Sequence, residues 1–305
     1  MRILITGASG LLGINLALET TRRHTVFGTV NHHTLSTNAF TVIQADLLAP
    51  GAAERLLEST QPDWVIHCAA LANLDACEAD PLLAQQLNTD LPRTLASYVA
   101  RSGARLIHVS TDSVFDGLRG GYSEDDIPIP VGVYSRTKLN GELVVAEADP
   151  TAIIARVNLF GWSLTGNRSL AEFFYNNLSH GKQVMGFTDV FFCPLLANDL
   201  AGIFVEMLER QLSGLYHVVS SESLSKYDFG VRLAERFNLD GSLINPTLVN
   251  QSGLKAVRSP NLALRSDKLA LALGEPLPSF STGLDKLYTL YQQGYPHMLR
   301  KLELH

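Results

Sequence analysis

The residues of this chain best suited to chemistry are Tyr134 and Lys138, in the run Tyr134-Ser-Arg-Thr-Lys138. On a helix, positions i and i+4 share a face, so this phenol and ammonium can converge on one ligand. A free tyrosine titrates near pH ~10, and a neighbouring cation favours its ionised form. A tyrosine made more acidic in this way can pass a proton to a carbonyl oxygen as hydride reaches the carbon. Taken alone, the pair is a common surface feature of helices. It gains weight from Ser110-Thr111, where a hydroxyl at a strand end can hold a substrate oxygen against Tyr134.

A source of hydride is implied at the other end of the chain. Gly7-Ala-Ser-Gly10-Leu-Leu-Gly13 follows an apolar strand and opens a helix. Glycines there permit a tight turn and the close approach of a pyrophosphate, and the helix start offers unpaired N–H groups. This makes Gly7, Ser9, Gly10, Leu11, Leu12 and Gly13 dinucleotide-binding candidates. An acidic residue after the second strand would bind the adenosine ribose of NAD. Here that stretch reads Val30-Asn31-His32-His33, with no carboxylate between Glu19 and Asp46. Nothing there repels a 2′-phosphate, and Asn31, His32 or Ser9 can donate to one. The expectation is NADP(H) in preference to NAD(H).

These groups need a scaffold, and the first half supplies one by alternation. Short apolar runs at Arg2–Thr6, Thr25–Val30, Thr41–Ala45, Trp64–His67, Arg105–Val109 and Ala152–Val157 read as strands. Helical patterns separate most of them, at Leu11–Arg22, Ala52–Ser59, Pro81–Arg101 and Tyr134–Ala148. Continuously apolar strands in such an alternation predict an α/β fold: a Rossmann-type, doubly wound parallel sheet covered on both faces. Beyond Gly161 the pattern loosens into helices at Leu170–Leu178, Asn198–Glu209 and Tyr227–Phe237, with a strand at Tyr216–Val219. The predicted division is a dinucleotide-binding domain of residues 1–160 plus about 184–212. A small C-terminal α+β substrate-binding lobe then takes about 161–183 and 213–305.

Composition excludes several other classes. The 305 residues are 46% apolar and 18% charged, enough to bury a large core. With 24 basic and 30 acidic residues, the net charge of −6 has no basic segment suited to nucleic acid or a membrane surface. Three scattered cysteines, Cys68, Cys77 and Cys193, fit neither a disulfide framework nor a zinc site, and no histidine spacing suggests a metal. No stretch reads as a signal peptide or membrane span, and the expected location is the cytoplasm.

The pattern Gly-x-x-Gly-x-x-Gly followed by Tyr-x-x-x-Lys resembles the extended short-chain dehydrogenase/reductase family. Within it the chain is similar to the dTDP-4-dehydrorhamnose reductase (RmlD-like, sugar-nucleotide-binding) family. The residues that carry the likeness are Ser110-Thr-Asp-Ser-Val-Phe-Asp-Gly117, Tyr122-Ser-Glu-Asp-Asp126, Val133-Tyr-Ser-Arg-Thr-Lys-Leu-Asn-Gly-Glu142 and Arg258-Ser-Pro-Asn-Leu-Ala-Leu-Arg-Ser-Asp-Lys-Leu269. The resemblance implies reduction of a keto group on a nucleotide-linked sugar, in an enzyme that often forms homodimers. It selects Thr111 as the third catalytic residue and Asn88 as a positioning residue. It also adds Asp46, Leu47, Ala69, Ala70, Leu71 and Ser110 to the cofactor set.

The substrate half departs from that family. Ser113 stands where those reductases carry Tyr, and Arg156-Val-Asn-Leu-Phe-Gly161 and Asp189-Val-Phe-Phe-Cys-Pro194 replace the usual pocket segments. Candidate nucleotide-sugar contacts are Ser113, Asn158, Trp162, Phe192, Arg258 and Arg265, because arginine grips diphosphates and aromatics stack on rings. Two other functions compete. One is a nucleotide-sugar epimerase or dehydratase; Ser113 argues against the dehydratase, which resemblance gives a Glu there. The other is a non-catalytic regulatory subunit that binds dinucleotide beside a partner enzyme.

Overall fold

The computed structural model describes residues 1–32, 34–251 and 259–302. Its strands are β1 (Arg2–Thr6), β2 (Thr25–Val30), β3 (Thr41–Gln44), β4 (Trp64–His67), β5 (Arg105–Thr111), β6 (Ile153–Val157), β7 (Leu159–Phe160), β8 (Val184–Phe187), β9 (Phe191–Phe192), β10 (Leu195–Leu196), β11 (Gly214–Val218), β12 (Leu224–Ser225) and β13 (Ile244–Thr247). The helices are α1 (Leu11–Thr20), α2 (Ala52–Thr60), α3 (Leu74–Ala79), α4 (Pro81–Gln85), α5 (Leu91–Ser102), α6 (Val133–Ala148), α7 (Leu170–Leu178), α8 (Ala197–Glu209), α9 (Lys226–Phe237), α10 (Asp267–Leu273), α11 (Phe280–Gln292) and α12 (Tyr295–Arg300). No helix among the described residues is long and apolar enough to cross a membrane.

Seven strands form one parallel sheet in the order β11-β6-β5-β4-β1-β2-β3. Successive side chains on a strand point to opposite faces, and both faces here are buried. Ile3, Ile5, Ile66, Ile107 and Ile153 face the layer containing α1 and α8, while Leu4, Val65, Leu106 and Ile154 face α2, α5 and α6. Leu4 and Ile5 are wholly buried, each stabilising the fold by about 1.5–3 kcal/mol. The strand order reverses direction between β1 and β4, and ligands bind open sheets beyond the strand ends at that crevice.

The predicted helix Pro81–Arg101 is continuous but not regular. Gln86–Asp90 winds as a π-turn between α4 and α5. Pro92 lies four residues after Asn88, so it lacks the N–H that would bond the Asn88 carbonyl, and its ring crowds that oxygen. Gly141 of α6 packs there instead; a Cβ on it would stand 2.2 Å from the Asn88 carbonyl oxygen.

The topology corrects the expected division of the chain at two points. Gly214–Val218, assigned from sequence to the lobe, is the seventh strand of the main sheet, paired with β6. The segment 184–212 contributes no strand to that sheet. Its β8 pairs with β13 and its β9 with β12, while α8 packs on α1 and carries the chain back to β11. A parallel neighbour of β6 needs such a helical crossover, and α8 provides it.

Candidate active site

The glycine turn after β1 is packed too closely for side chains at Gly7 and Gly13. Gly7 has φ +70°, and a Cβ on it would meet the Ala69 backbone at 2.9 Å. A Cβ on Gly13 would lie 2.2 Å from the Gly7 carbonyl oxygen, so the first turn of α1 can sit on the loop only with glycine. Gly10 caps α1 without any side-chain hydrogen bond, which leaves first-turn N–H groups for a ligand. Beside the turn, a small cleft of about 70 Å³ is lined by Gly7, Val30, Asn31, Asp46, Leu47 and Ala69, among others. Asp46 accepts from the Leu48 N–H at 3.0 Å, which fixes this loop locally.

Tyr134 and Lys138 lie in the first two turns of α6. The start of α6 is held by a distant group: Gly132 offers no cap, and Glu78 Oε1 accepts the Val133 N–H at 2.8 Å. Asn88 clamps the loop after β4, its Oδ1 accepting from the Leu71 N–H at 2.9 Å and its Nδ2 donating to the Leu71 carbonyl at 3.1 Å. The same Nδ2 reaches Thr137 Oγ1 at 3.1 Å, tying that loop to α6. Below, Ser110 Oγ donates to Glu142, and Glu142 forms a buried two-pronged pair with Arg156 at 2.7 and 2.9 Å.

The electrostatics of the tyrosine differ from expectation. Burial pushes the Tyr134 phenol up to about 12, with the Thr111 hydroxyl opposing and Asp112 and Cys77 reinforcing the shift. Lys138 exerts no comparable pull on it. Its Nζ donates to the Val109 carbonyl at 2.7 Å, and its charge acts on His67, Cys68 and His108 beneath the strand ends. Burial lowers Lys138 to about 8, against the opposing pull of Glu142 and Cys68. Tyr134 is therefore a firmly protonated donor rather than a phenol made acidic by the amine.

A pocket of about 400 Å³ opens beside Tyr134, between the sheet edge and the lobe. Glu78, Asp112, Ser113, Asn158, Phe192 and Lys226 are among its walls. Asp112 is buried and accepts from Asn158 Nδ2 at 2.5 Å and from the Thr111 hydroxyl at 3.1 Å. Its carboxyl is raised by burial, with the Asn158 hydrogen bond the main opposing influence. Tyr134 lines this pocket, while the cleft at the glycine turn is walled by other residues.

The family model for the RmlD substrate binding domain matches residues 1–293. The chain belongs to the RmlD family. A probable low-salt glycan biosynthesis reductase, Agl14, of Haloferax volcanii is 32% identical, over 94% of this chain and 97% of that protein. The dTDP-4-dehydrorhamnose reductase of Mycobacterium tuberculosis is 33% identical, over 93% and 91%. The methionine adenosyltransferase 2 subunit beta of Mus musculus is 31% identical, over 93% and 86%. Among solved structures, a dTDP-4-dehydrorhamnose reductase from Clostridium acetobutylicum superposes with a TM-score of 0.85 at 27% identity, covering 96% of this chain and all of that one. That of Bacillus anthracis, in complex with NADP, gives 0.81 at 25%, covering 94% and 98%.

Within this RmlD-family fold, the residues singled out from sequence sort unevenly. Gly7, Asn31, Asp46, Leu47 and Ala69 line one cleft, and Ser9, Gly10 and Leu11 stand at the turn. His32 and Ala70 are exposed, with neither among the walls of that cleft. The Leu12 side chain is buried in the core, so only its backbone can serve the turn. The Ser110 hydroxyl donates to the buried Glu142, so what it can offer a cofactor is its backbone. Ser113, Asn158 and Phe192 line the pocket. Trp162 does not; it is buried in the lobe, its Nε1 donating to the Leu287 carbonyl and its ring edge-on to Tyr175. Arg265 is likewise corrected, since its guanidinium pairs with Asp267 at the surface. Arg258 lies outside the described residues. Sequence reasoning missed Glu78, Asp112, Glu142 and Lys226, whose partners lie far along the chain or emerge only with the pocket.

Proposed function

We propose that this protein is an NAD(P)H-dependent reductase acting on a keto group of a nucleotide-linked sugar, with NADPH the preferred donor. The observation that carries the reading is Tyr134 on the wall of a polar pocket, on α6, whose Thr137 is tied through Asn88 to Leu71 in the loop after β4 that packs on the glycine turn. The turn fits a dinucleotide, because glycines at 7 and 13 let the loop fold tightly against Ala69 and the start of α1, where uncapped N–H groups can meet a pyrophosphate. Gly7 to Gly13 would hold the pyrophosphate, Asn31, Asp46 and Leu47 the adenosine, and Lys138 the second ribose. When bound, the dinucleotide supplies hydride. The chain's own residues do the rest: Thr111 orients the substrate carbonyl, and Tyr134 donates a proton to its oxygen. Asn88 acts as a positioning residue by fixing Leu71 and Thr137. The preference for NADPH rests on the uncharged Val30-Asn31-His32 stretch and on the NADP complex of the Bacillus anthracis relative.

The test is stoichiometric oxidation of NADPH by dTDP-4-dehydrorhamnose, assayed in parallel with NADH. One dinucleotide is expected per carbonyl reduced, and Tyr134→Phe should lower kcat by about 10²–10⁴-fold with NADPH affinity retained. Recycling without net oxidation would move the reading to an epimerase. Absence of any reduction, with tight co-purification of a second enzyme, would move it to a regulatory subunit. Turnover kept in the Phe variant would remove Tyr134 from its role.

A further inference from the structure

The substrate pocket has two electrically different walls. The sheet side brings carboxylates, Glu78 from α3 and Asp112 from the end of β5. The lobe side brings Val190, Phe191, Phe192, Leu262 and one cation, Lys226. Lys226 supplies the only full positive charge among the described residues that line this pocket. Its position is set by the backbone: the Lys226 N–H donates to the Val190 carbonyl at 3.0 Å, and Ser225 pairs with Phe191 across β12 and β9. The lysine is thereby held beside two phenylalanines at the first residue of α9. The helix start itself is already served by Ser225, whose Oγ accepts from the Asp228 N–H. Among the described residues, the attraction for an anion at this wall belongs to the ammonium.

Arg265, the cation expected from sequence to grip a diphosphate, is turned away to Asp267. A negatively charged substrate entering this pocket meets Glu78 and Asp112 on one side and Lys226 on the other. Coulomb's law favours one orientation: hydroxyl-bearing atoms toward the carboxylates, which only accept hydrogen bonds, and phosphoryl oxygens toward the ammonium, which only donates.

We infer that Lys226 is the phosphoryl anchor of the substrate pocket and sets the direction in which a nucleotide-linked sugar lies. The inference rests on the proposed substrate class and adds to it the residue that reads its charge. The aromatic pair Phe191 and Phe192, adjoining the anchor, then flanks the nucleoside end. Phe191 remains partly exposed there, with a free face for a ring.

The experiment compares charged and uncharged probes by calorimetry on the full chain. dTDP, UDP, inorganic pyrophosphate and thymidine are titrated into wild type, Lys226→Ala, Lys226→Gln and Lys226→Arg, all saturated with NADPH. Lys226→Ala and Lys226→Gln are expected to weaken dTDP by about tenfold or more and to leave thymidine unchanged. Lys226→Arg should keep most of the affinity. With the sugar substrate, KM should rise while kcat stays within a few-fold. NADPH affinity and melting temperature, unchanged in all variants, establish that the fold is intact.

Three results overturn the inference: wild type that binds none of the phosphorylated probes, variants that bind dTDP as tightly as wild type, or equal losses for dTDP and thymidine. The last is what a lysine serving only as counter-charge to Asp112 would produce, since Lys226 favours that carboxylate's ionised form. Failure of the reductase reading looks different. Wild type would bind dTDP through Lys226 yet oxidise no NADPH.

Discussion

The two sides of the cleft are built from different materials. The dinucleotide side uses backbone and empty space: glycines at 7, 10 and 13, and Ala69 against them. The substrate side uses side chains, many of them charged, drawn from separate elements: Glu78, Asp112, Asn158 and Lys226. Main-chain N–H groups cannot be exchanged by mutation, so the first side can be spoiled only by filling it. The second can be retuned one residue at a time. A family can therefore keep its cofactor and change its substrate, which is the pattern Ser113 and the segment 189–194 already suggest.

The strongest challenge to that contrast is Gly13→Ala. The added methyl would overlap the Gly7 carbonyl at 2.2 Å and the Ala8 backbone at 2.9 Å. Relieving such a clash costs about 1–3 kcal/mol, so NADPH affinity should fall by up to about a hundredfold. dTDP binding, measured without dinucleotide, should change little. Equal losses for both ligands would show that the two sides do not act separately.

A pH experiment gives the next largest effect. Lys138 in the folded protein releases its proton near pH 8, whereas the unfolded chain holds it to about 10.5. Between those values the unfolded state binds more protons, so this group's contribution to stability rises with pH across that window. Below pH 8 the full penalty of burying the charge is present. Activity runs the other way, because a neutral amine grips the ribose less well. The kcat/KM for NADPH should decline above about pH 8, by about tenfold per unit at the steepest. Tyr134, raised to about 12, keeps its proton throughout that range and adds no limb. dTDP affinity should show no break near pH 8. A flat NADPH profile to pH 10, or a matching break for dTDP, would erase the contrast.

Sequence reached these two sides unequally for a physical reason. The glycine turn and the Tyr134–Lys138 spacing are local, and local geometry follows from residue type and order. The parallel sheet is legible from apolar runs, yet the place of Gly214–Val218 beside β6 is not, because strand pattern does not reveal the neighbouring strand. Trp162 and Arg265 are pocket candidates by sequence because their types suit ligands. Residue type does not say which way a side chain faces, and these two face the lobe core and Asp267. The π-turn had its cause in plain view, Pro92 four places after Asn88, but its consequence needs α6 packed against it. The spacing Tyr134–Lys138 does not reveal the burial of the phenol, which pushes it up, nor that the amine donates to the Val109 carbonyl.

Glu78 joins the two sides and gives the smallest of these effects. Its Oε1 takes the Val133 N–H across 55 positions of sequence, fixing the start of the helix that carries Tyr134, while its side chain also lines the pocket. Gly132 is part of this arrangement, since a Cβ there would approach Glu78 Oε1 to 3.0 Å. Loss of a helix cap costs about 1 kcal/mol, which in a chain of this size lowers Tm by about 2 °C. Glu78→Ala should show that shift and a kcat reduced by about three- to tenfold, with NADPH affinity nearly unchanged. Glu78→Gln keeps an oxygen that can accept the Val133 N–H, so it should restore Tm and kcat. Any remaining defect in Glu78→Gln should appear in KM for the sugar, because only the carboxylate's charge is lost. If Gln were as slow in kcat as Ala, the charge beside the substrate would matter more than the tether, and Glu78 would belong to the pocket alone.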